Sequence, residues 1–185
     1  SIDLARVASV VAGSDHPPEE LGSHLAATGT LPIPDDLPPV VGVPTTLAGA
    51  GLSMLAGVSA DPSSGLVAEP AGGGVGDPGL TSALAVYDPE LIAETPREVL
   101  AGSAMNGFDK GVEALYASTR TPITDATASR GLRLLAGGLP TLGSDPDAED
   151  LVPVIRGVIL AGYGTSRPSG TSFSVLHAIG HALRV

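Results

Sequence analysis

Two short stretches of the sequence combine residue types that could do chemistry. The stretch NGFDKGVE holds the chain's only lysine and places Asn106, Lys110 and Glu113 at i, i+4 and i+7 of a predicted helix, on one face. Near the end of the sequence, HAIGH places His177 and His181 at i and i+4. That spacing suits a metal pair, or one ligand plus a proton carrier, but two imidazoles alone do not complete a metal centre.

A third stretch, VPTTLAGAG, follows a predicted strand. Its hydroxyls Thr45 and Thr46 and its small residues, among them Gly49, allow a phosphate or nucleotide to approach the backbone closely. The alternative is an ordinary strand end followed by a glycine-rich turn. From the stretch alone, the ordinary alternative is favoured.

The opening SIDLAR and the lysine helix also have structural interpretations. Ser1 and Asp3 at a helix start are ordinary caps. Lys110 and Glu113 could form a solvated surface pair contributing a few tenths of a kcal/mol, roughly. A functional role for these residues therefore needs further support.

The elements that must position these residues change in character along the chain. The sequence up to residue 90 predicts an α/β part, and residues 91–185 predict an all-α domain, so 1–90 and 91–185 are the expected domains. Helices are predicted from apolar periodicity and cap residues, and strands from short apolar runs. The predicted helices are 1–13, one turn near 19–26, 97–118, 122–138, 147–163 and 172–184. The predicted strands are 40–46, 81–89 and a hairpin of 52–60 with 65–69, followed by a flexible loop over 71–79.

Composition narrows the class of protein. The net charge is −11, with 20 acids against 9 bases, which argues against nucleic acid or an anionic membrane as a partner. Such acidity fits a halophilic source, or alternatively the codon bias of a GC-rich genome. The chain has no cysteine and no apolar run of membrane-spanning length, so a soluble cytoplasmic protein is expected.

Taken in order, the stretches resemble the iron-containing alcohol dehydrogenase family. The resemblance rests on the opening SIDLAR, VPTTLAGAG, YDPELIAETP, MNGFDKGVEALYA and HAIGH. It implies the end of a dinucleotide-binding sheet followed by the first helices of an all-α domain. It also implies that relatives extend further on both sides, so that the chain is a central fragment or a truncated relative.

The predicted helix that contains Lys110 indicates which branch of the family the chain resembles. Metal-dependent members carry Asp and His, four residues apart, where this chain has Asn106 and Lys110. The sequence around these two residues resembles the maleylacetate reductase branch more closely, although that branch generally keeps a histidine at the Lys110 position. The resemblance therefore implies metal-independent reduction, with the ammonium of Lys110 standing in for a cation beside the substrate oxygen.

The resemblance also implies roles for the other candidates. His181 would relay a proton, and His177 would be a ligand of Fe or Zn if a metal is present. The expected cofactor is NAD or NADP, and the expected substrate is a small carbonyl or alcohol. A homodimer is a possible oligomeric state. The residues implied to bind the cofactor are Ser1, Asp3, Arg6, Thr45, Thr46 and Gly49.

Two alternatives remain open at this point. One is a metal-dependent alcohol or polyol dehydrogenase of the same superfamily with a different ligand set. The other is a catalytically inactive binding module, since loss of two ligand positions is also what decay of an active site produces.

Overall fold

The computed structural model describes residues 2–142 and 146–163 of the chain. In these ranges, helices occupy both the beginning and the end, and short strands lie between them. The strands are β1 Val41–Gly42, β2 Leu55–Ala60, β3 Ala71–Gly76 and β4 Leu84–Ala85. The helices are α1 Ile2–Gly13, α2 Pro18–Thr28, α3 Pro89–Ala93, α4 Arg97–Tyr116, α5 Pro122–Gly138 and α6 Ala148–Gly162.

The long helices begin where their cap residues predict. Thr121 accepts from the backbone of Thr124 while the Thr124 hydroxyl accepts from the backbone of Thr121, a capping box that starts α5. Asp147 accepts from the backbone N–H of Asp150 and starts α6. The predicted helices over 1–13, 97–118, 122–138 and 147–163 are therefore confirmed to within one or two residues. The helix predicted over 172–184 lies outside the described residues.

The predicted hairpin of 52–60 with 65–69 is wrong. Strand β2 pairs antiparallel with β3, in a register that sets Leu55 opposite Gly76 and Ala60 opposite Ala71. The partner strand thus lies in the segment 71–79, which was predicted to be a flexible loop. The other two strands are shorter than predicted, two residues each, and pair with one another.

A close backbone approach explains why a strand is built from glycines. A Cβ added at Gly73 would lie 1.7 Å from the carbonyl oxygen of Gly29, the residue that ends α2. The Gly74 amide donates to that same oxygen at 3.0 Å. A side chain at position 73 would push α2 away, so packing requires glycine at that position of the run that looks flexible in sequence.

Contacts divide the chain into two compact units. The first contains residues up to Gly42 together with Ser53–Leu84, and its core is the buried set Val10, Leu21, Leu25, Leu31, Ala56, Val75 and Leu80. The second contains Val43–Leu52 together with the described residues from Ala85 to Tyr163. The fold class is confirmed as an α/β part followed by a helical part. The domain assignment 1–90 and 91–185 stays a prediction.

The second unit is built on three helices, α4, α5 and α6, that pack closely against one another. Its core includes Leu47, Leu100, Leu135, Leu151 and Val158. Helices α5 and α6 touch backbone to backbone, because a Cβ at Gly131 would lie 2.5 Å from the Ala161 amide nitrogen and 2.7 Å from the Gly157 carbonyl oxygen. This contact is available only to glycine at position 131.

None of the helices in the described ranges is both long enough and apolar enough to cross a membrane.

Candidate active site

The one lysine of the chain is buried inside the second unit. Lys110 is 5 % exposed, and its ammonium donates a 2.8 Å hydrogen bond to the carbonyl oxygen of Ala48. Glu113, one turn further along α4, is 4 % exposed. The alternative of a solvated surface pair is therefore excluded for both residues. Burying a charge is costly unless it is compensated, so the ammonium is held in place by its surroundings.

The loop Val43–Leu52 carries three of the predicted cofactor-binding residues. Thr45 is exposed, Thr46 is half-buried and Gly49 is buried. Gly49 has a φ of +69°, a left-handed conformation that favours glycine. A Cβ there would lie 3.8 Å from the Lys110 Nζ and 3.3 Å from Val158 Cγ1. The structure thus brings Gly49 and Lys110 together: Gly49 follows Ala48 in the sequence, and Lys110 bonds to the Ala48 carbonyl.

Two residues that position this loop were not predicted from the sequence. The Leu47 amide donates to the Ser103 hydroxyl at 3.1 Å, and Thr95 donates through its hydroxyl to the Thr45 carbonyl. Ser103, Gly107 and Lys110 lie at i, i+4 and i+7 of α4, so they share one helical face. The sequence carries no local signal for these contacts, because they depend on how the loop packs against the helix.

At Gly107 the loop lies directly on the helix. A Cβ added there would lie 2.8 Å from the Leu47 carbonyl oxygen and 2.9 Å from Val158 Cγ2. Glycine at this position lets the loop backbone approach α4 closely enough for the bonds to Ser103 and Lys110 to form.

Acidic groups beside Lys110 set its electrostatic surroundings. The pKa of Asp109 is raised above its ordinary value, first by burial and second by the charge of Glu113, while Lys110 opposes the rise. The adjacent residues Asp109 and Lys110 and the next-turn residue Glu113 therefore interact on α4. Asn106, by contrast, is exposed, so the face predicted to contain Asn106, Lys110 and Glu113 is buried only at the last two.

Asp3 and Arg6 belong to the first unit, where Arg6 is fully buried. Its guanidinium donates to three backbone carbonyls: to Leu80 at 2.9 Å, to Leu55 at 3.1 Å and to Ser53. Asp3 lies 3.6 Å from this guanidinium and accepts a long bond from the Gly57 amide. Arg6 thus joins three separate segments, and a contact with cofactor stays a prediction for both residues.

The remaining predicted site residues, Ser1, His177 and His181, lie outside the described residues. Within 2–142 and 146–163, no three His, Cys, Asp or Glu side chains are grouped so that they could hold a metal ion. The donor set on α4 also does not suit a divalent cation, because an ammonium repels one and an exposed amide is a weak ligand. The described residues therefore do not fit a divalent metal ion of the kind that metal-dependent members of the family carry.

The known proteins to which the chain is similar are oxidoreductases, although no protein-family model matches it. It is 31 % identical over 163 residues to a maleylacetate reductase of Sphingobium indicum, covering 88 % of this chain and 43 % of that protein. It is 28 % identical over 105 residues to an NAD-dependent methanol dehydrogenase of Bacillus methanolicus, covering 55 % of this chain and 27 % of that one. The chain spans less than half the length of these relatives.

A solved structure shows the same fold. An iron-containing alcohol dehydrogenase of Corynebacterium glutamicum superposes with a TM-score of 0.63 at 26 % identity, over 78 % of this chain and 38 % of that one. Maleylacetate reductases of other bacteria match the sequence at similar identity. The chain is thus a homologue of the maleylacetate reductases and iron-containing alcohol dehydrogenases, and it has their fold.

Proposed function

We propose that the protein containing this chain is an NAD(P)-dependent oxidoreductase that acts on a small carbonyl or alcohol substrate without a metal, as a maleylacetate-reductase-like enzyme. The homologues are oxidoreductases, and one curated relative is named as NAD-dependent. The single observation that carries the metal-independent part is the buried ammonium of Lys110 on α4, which donates to the Ala48 carbonyl of the loop.

The residues of the loop fit a dinucleotide. Thr45 is exposed and Thr46 half-buried, so their side chains are accessible to a ligand, and the positive φ of the buried Gly49 allows the tight turn that follows them. These are the features that a phosphate-bearing ligand requires for close approach. When bound, the nicotinamide cofactor supplies or accepts the hydride.

Lys110 provides positive charge at the position where relatives place a metal ligand. A carbonyl oxygen gains negative charge as its carbon is reduced, and a fixed cation nearby lowers the energy of that state. The bond to Ala48 fixes the ammonium before the substrate arrives, so little reorganisation is needed during reaction. In this proposal His181 supplies the proton that completes the alcohol, a role carried over from the resemblance.

The test uses protein expressed from the complete gene. Metal content is measured first, and then NADH and NADPH oxidation with short keto-acids and aldehydes, with and without chelator and at low and high salt. Wild-type turnover that persists in chelator, together with loss of turnover in Lys110→His, supports the proposal. Arg130→His on the exposed side of α5 is the control for a change of the same kind away from the site.

Two results would overturn it. Turnover that chelator abolishes would show that a metal is used, and the double variant Asn106→Asp, Lys110→His, which restores both ligand types of the metal-using relatives, would then be expected to retain metal. Absence of both nucleotide binding and turnover in wild-type protein would instead leave the inactive binding module.

A further inference from the structure

Within the second unit, three side chains form hydrogen bonds with the backbone of residues 45–48. Thr95 donates to the Thr45 carbonyl, Ser103 accepts from the Leu47 amide, and Lys110 donates to the Ala48 carbonyl. We call these three bonds the loop clamp. They hold three of the four residues of this segment, which has no regular secondary structure of its own.

Ser103 occupies the middle of the clamp and bonds in two directions. Its hydroxyl donates to the Leu100 carbonyl of the same helix at 3.0 Å and accepts from the Leu47 amide at 3.1 Å. Donation to Leu100 turns the lone pairs of the hydroxyl toward the loop. The Leu47 side chain is fully buried in the core, so its amide would be costly to leave without a partner.

The clamp leaves the neighbouring hydroxyls available to a ligand. Thr45 is exposed and Thr46 half-buried, and in the described part of the chain neither hydroxyl takes part in a hydrogen bond. Their backbone is fixed from the inner side while their side chains remain accessible. A loop fixed in this way loses less conformational freedom when a ligand binds, which strengthens binding without adding a contact.

We propose that Ser103 is a positioning residue for cofactor binding: by holding the Leu47 amide it fixes the Thr45–Thr46 segment in the conformation that receives the nicotinamide nucleotide. The inference rests on the proposed function, because the ligand is the cofactor assigned there. Ser103 itself does not touch the nucleotide. It acts through the loop.

The test compares Ser103→Ala with Ser103→Thr, which keeps a hydroxyl able to bond a carbonyl one turn back. Hydrogen exchange of the Leu47 amide is measured without ligand, and the Kd of NADH and NADPH is measured by fluorescence titration. In Ser103→Ala we expect exchange to be about tenfold faster and Kd to rise about tenfold. KM for the nucleotide should rise by a larger factor than kcat falls, and Ser103→Thr should restore most of both.

The matched control is Ser129→Ala on α5, a half-buried helical serine without a bond to the loop. Should Ser103→Ala fail to fold, Thr95→Val against Thr95→Ser tests the same clamp from its other end. Faster exchange or a lower Tm with an unchanged nucleotide Kd would overturn the inference, because a merely structural serine gives that pattern. Wild-type protein that binds neither nucleotide would overturn the proposed function, and the inference with it.

Discussion

The ammonium of Lys110 and the carbonyl oxygen of Ala48 lie 2.8 Å apart, across 62 residues of sequence. Through this bond helix α4 holds the loop that follows β1, inside the second unit. Lys110 is therefore both a positive charge near the expected substrate position and a support for the expected cofactor loop. A neutral, non-donating side chain at position 110 removes both the charge and the bond, whereas a glycine change in the loop alters the support and leaves the charge in place.

Replacing Lys110 with methionine removes the charge with little change in length. Because Lys110 opposes the raised pKa of Asp109, the Asp109 pKa should rise further in Lys110→Met. Carboxyl NMR titration of both proteins measures this. An unchanged Asp109 pKa would mean that the two charges do not interact in solution.

The raised pKa of Asp109 makes a second prediction, about stability and pH. The folded state keeps the Asp109 proton to a higher pH than the unfolded state does, so it binds more protons across that interval. The free energy of unfolding contributed by this group therefore decreases as pH rises from about 4 through the folded-state pKa.

Asp109→Asn, which cannot ionise, should lack this decrease. The variant should be more stable than wild type at pH 7, and the difference should shrink on acidification. Urea unfolding of both proteins between pH 3.5 and 7.5, roughly the range where the carboxyl titrates, measures this. A stability difference that is the same at every pH would contradict the prediction.

Alanine substitutions at two glycines with positive φ distinguish the cost of backbone strain from the cost of side-chain packing. Gly49 (φ +69°) adjoins Val158 and Lys110, whereas Gly65 (φ +73°) has nothing within 4 Å of an added Cβ. Gly65→Ala should cost about 1–2 kcal/mol from the left-handed backbone alone. Gly49→Ala should cost more in chemical denaturation, because the methyl group also contacts Val158 at 3.3 Å. Equal costs would mean that the loop moves away without resistance.

A second glycine pair lies on α4. Gly102 faces open space, while a Cβ at Gly107 would lie 2.8 Å from the Leu47 carbonyl oxygen. Gly102→Ala should stabilise the protein by up to about 1 kcal/mol through helix propensity. Gly107→Ala should lower Tm and accelerate exchange of the Leu47 amide. Stabilisation by both changes would refute close packing of the loop on α4.

Arg6 offers the largest predicted loss of stability. Arg6→Met removes the donor of three backbone carbonyls at once, and we expect a cost of more than about 3 kcal/mol. Arg6→Lys should recover only part of it, since an ammonium cannot reproduce the planar arrangement of the guanidinium. Arg130→Met, at an exposed position on α5, should change the free energy of unfolding by less than about 0.5 kcal/mol.

Local signals in the sequence were sufficient for α1, α4, α5 and α6, but not for the short α3, the full length of α2 or the strand pairing. Thr121 and Asp147 bond to backbone amides a few residues away, so α5 and α6 could be predicted from their own first turns. Strand β3 could not, because glycine is disfavoured in strands and its reason for being there is the carbonyl of Gly29, more than forty residues earlier.

The candidate site shows the same division. The sequence and the resemblance singled out Lys110, Thr45, Thr46 and Gly49, which lie together in the second unit. They did not predict that Lys110 is buried or that its partner is a backbone carbonyl, because carbonyl positions depend on tertiary packing. Ser103 was missed for that reason: a serine inside a helix has no local signature of the loop it contacts.

The three carbonyls around Arg6 also constrain the order of events on the ribosome. The most distant of them, on Leu80, is 74 residues away, so at about 5–20 residues per second it is synthesised roughly 4–15 s after Arg6. During that time the guanidinium of Arg6 lacks at least one of its three carbonyl partners, so it cannot be buried at low cost. Helix α1 thus cannot complete the bonds of Arg6 until the Pro78–Leu80 turn has been synthesised.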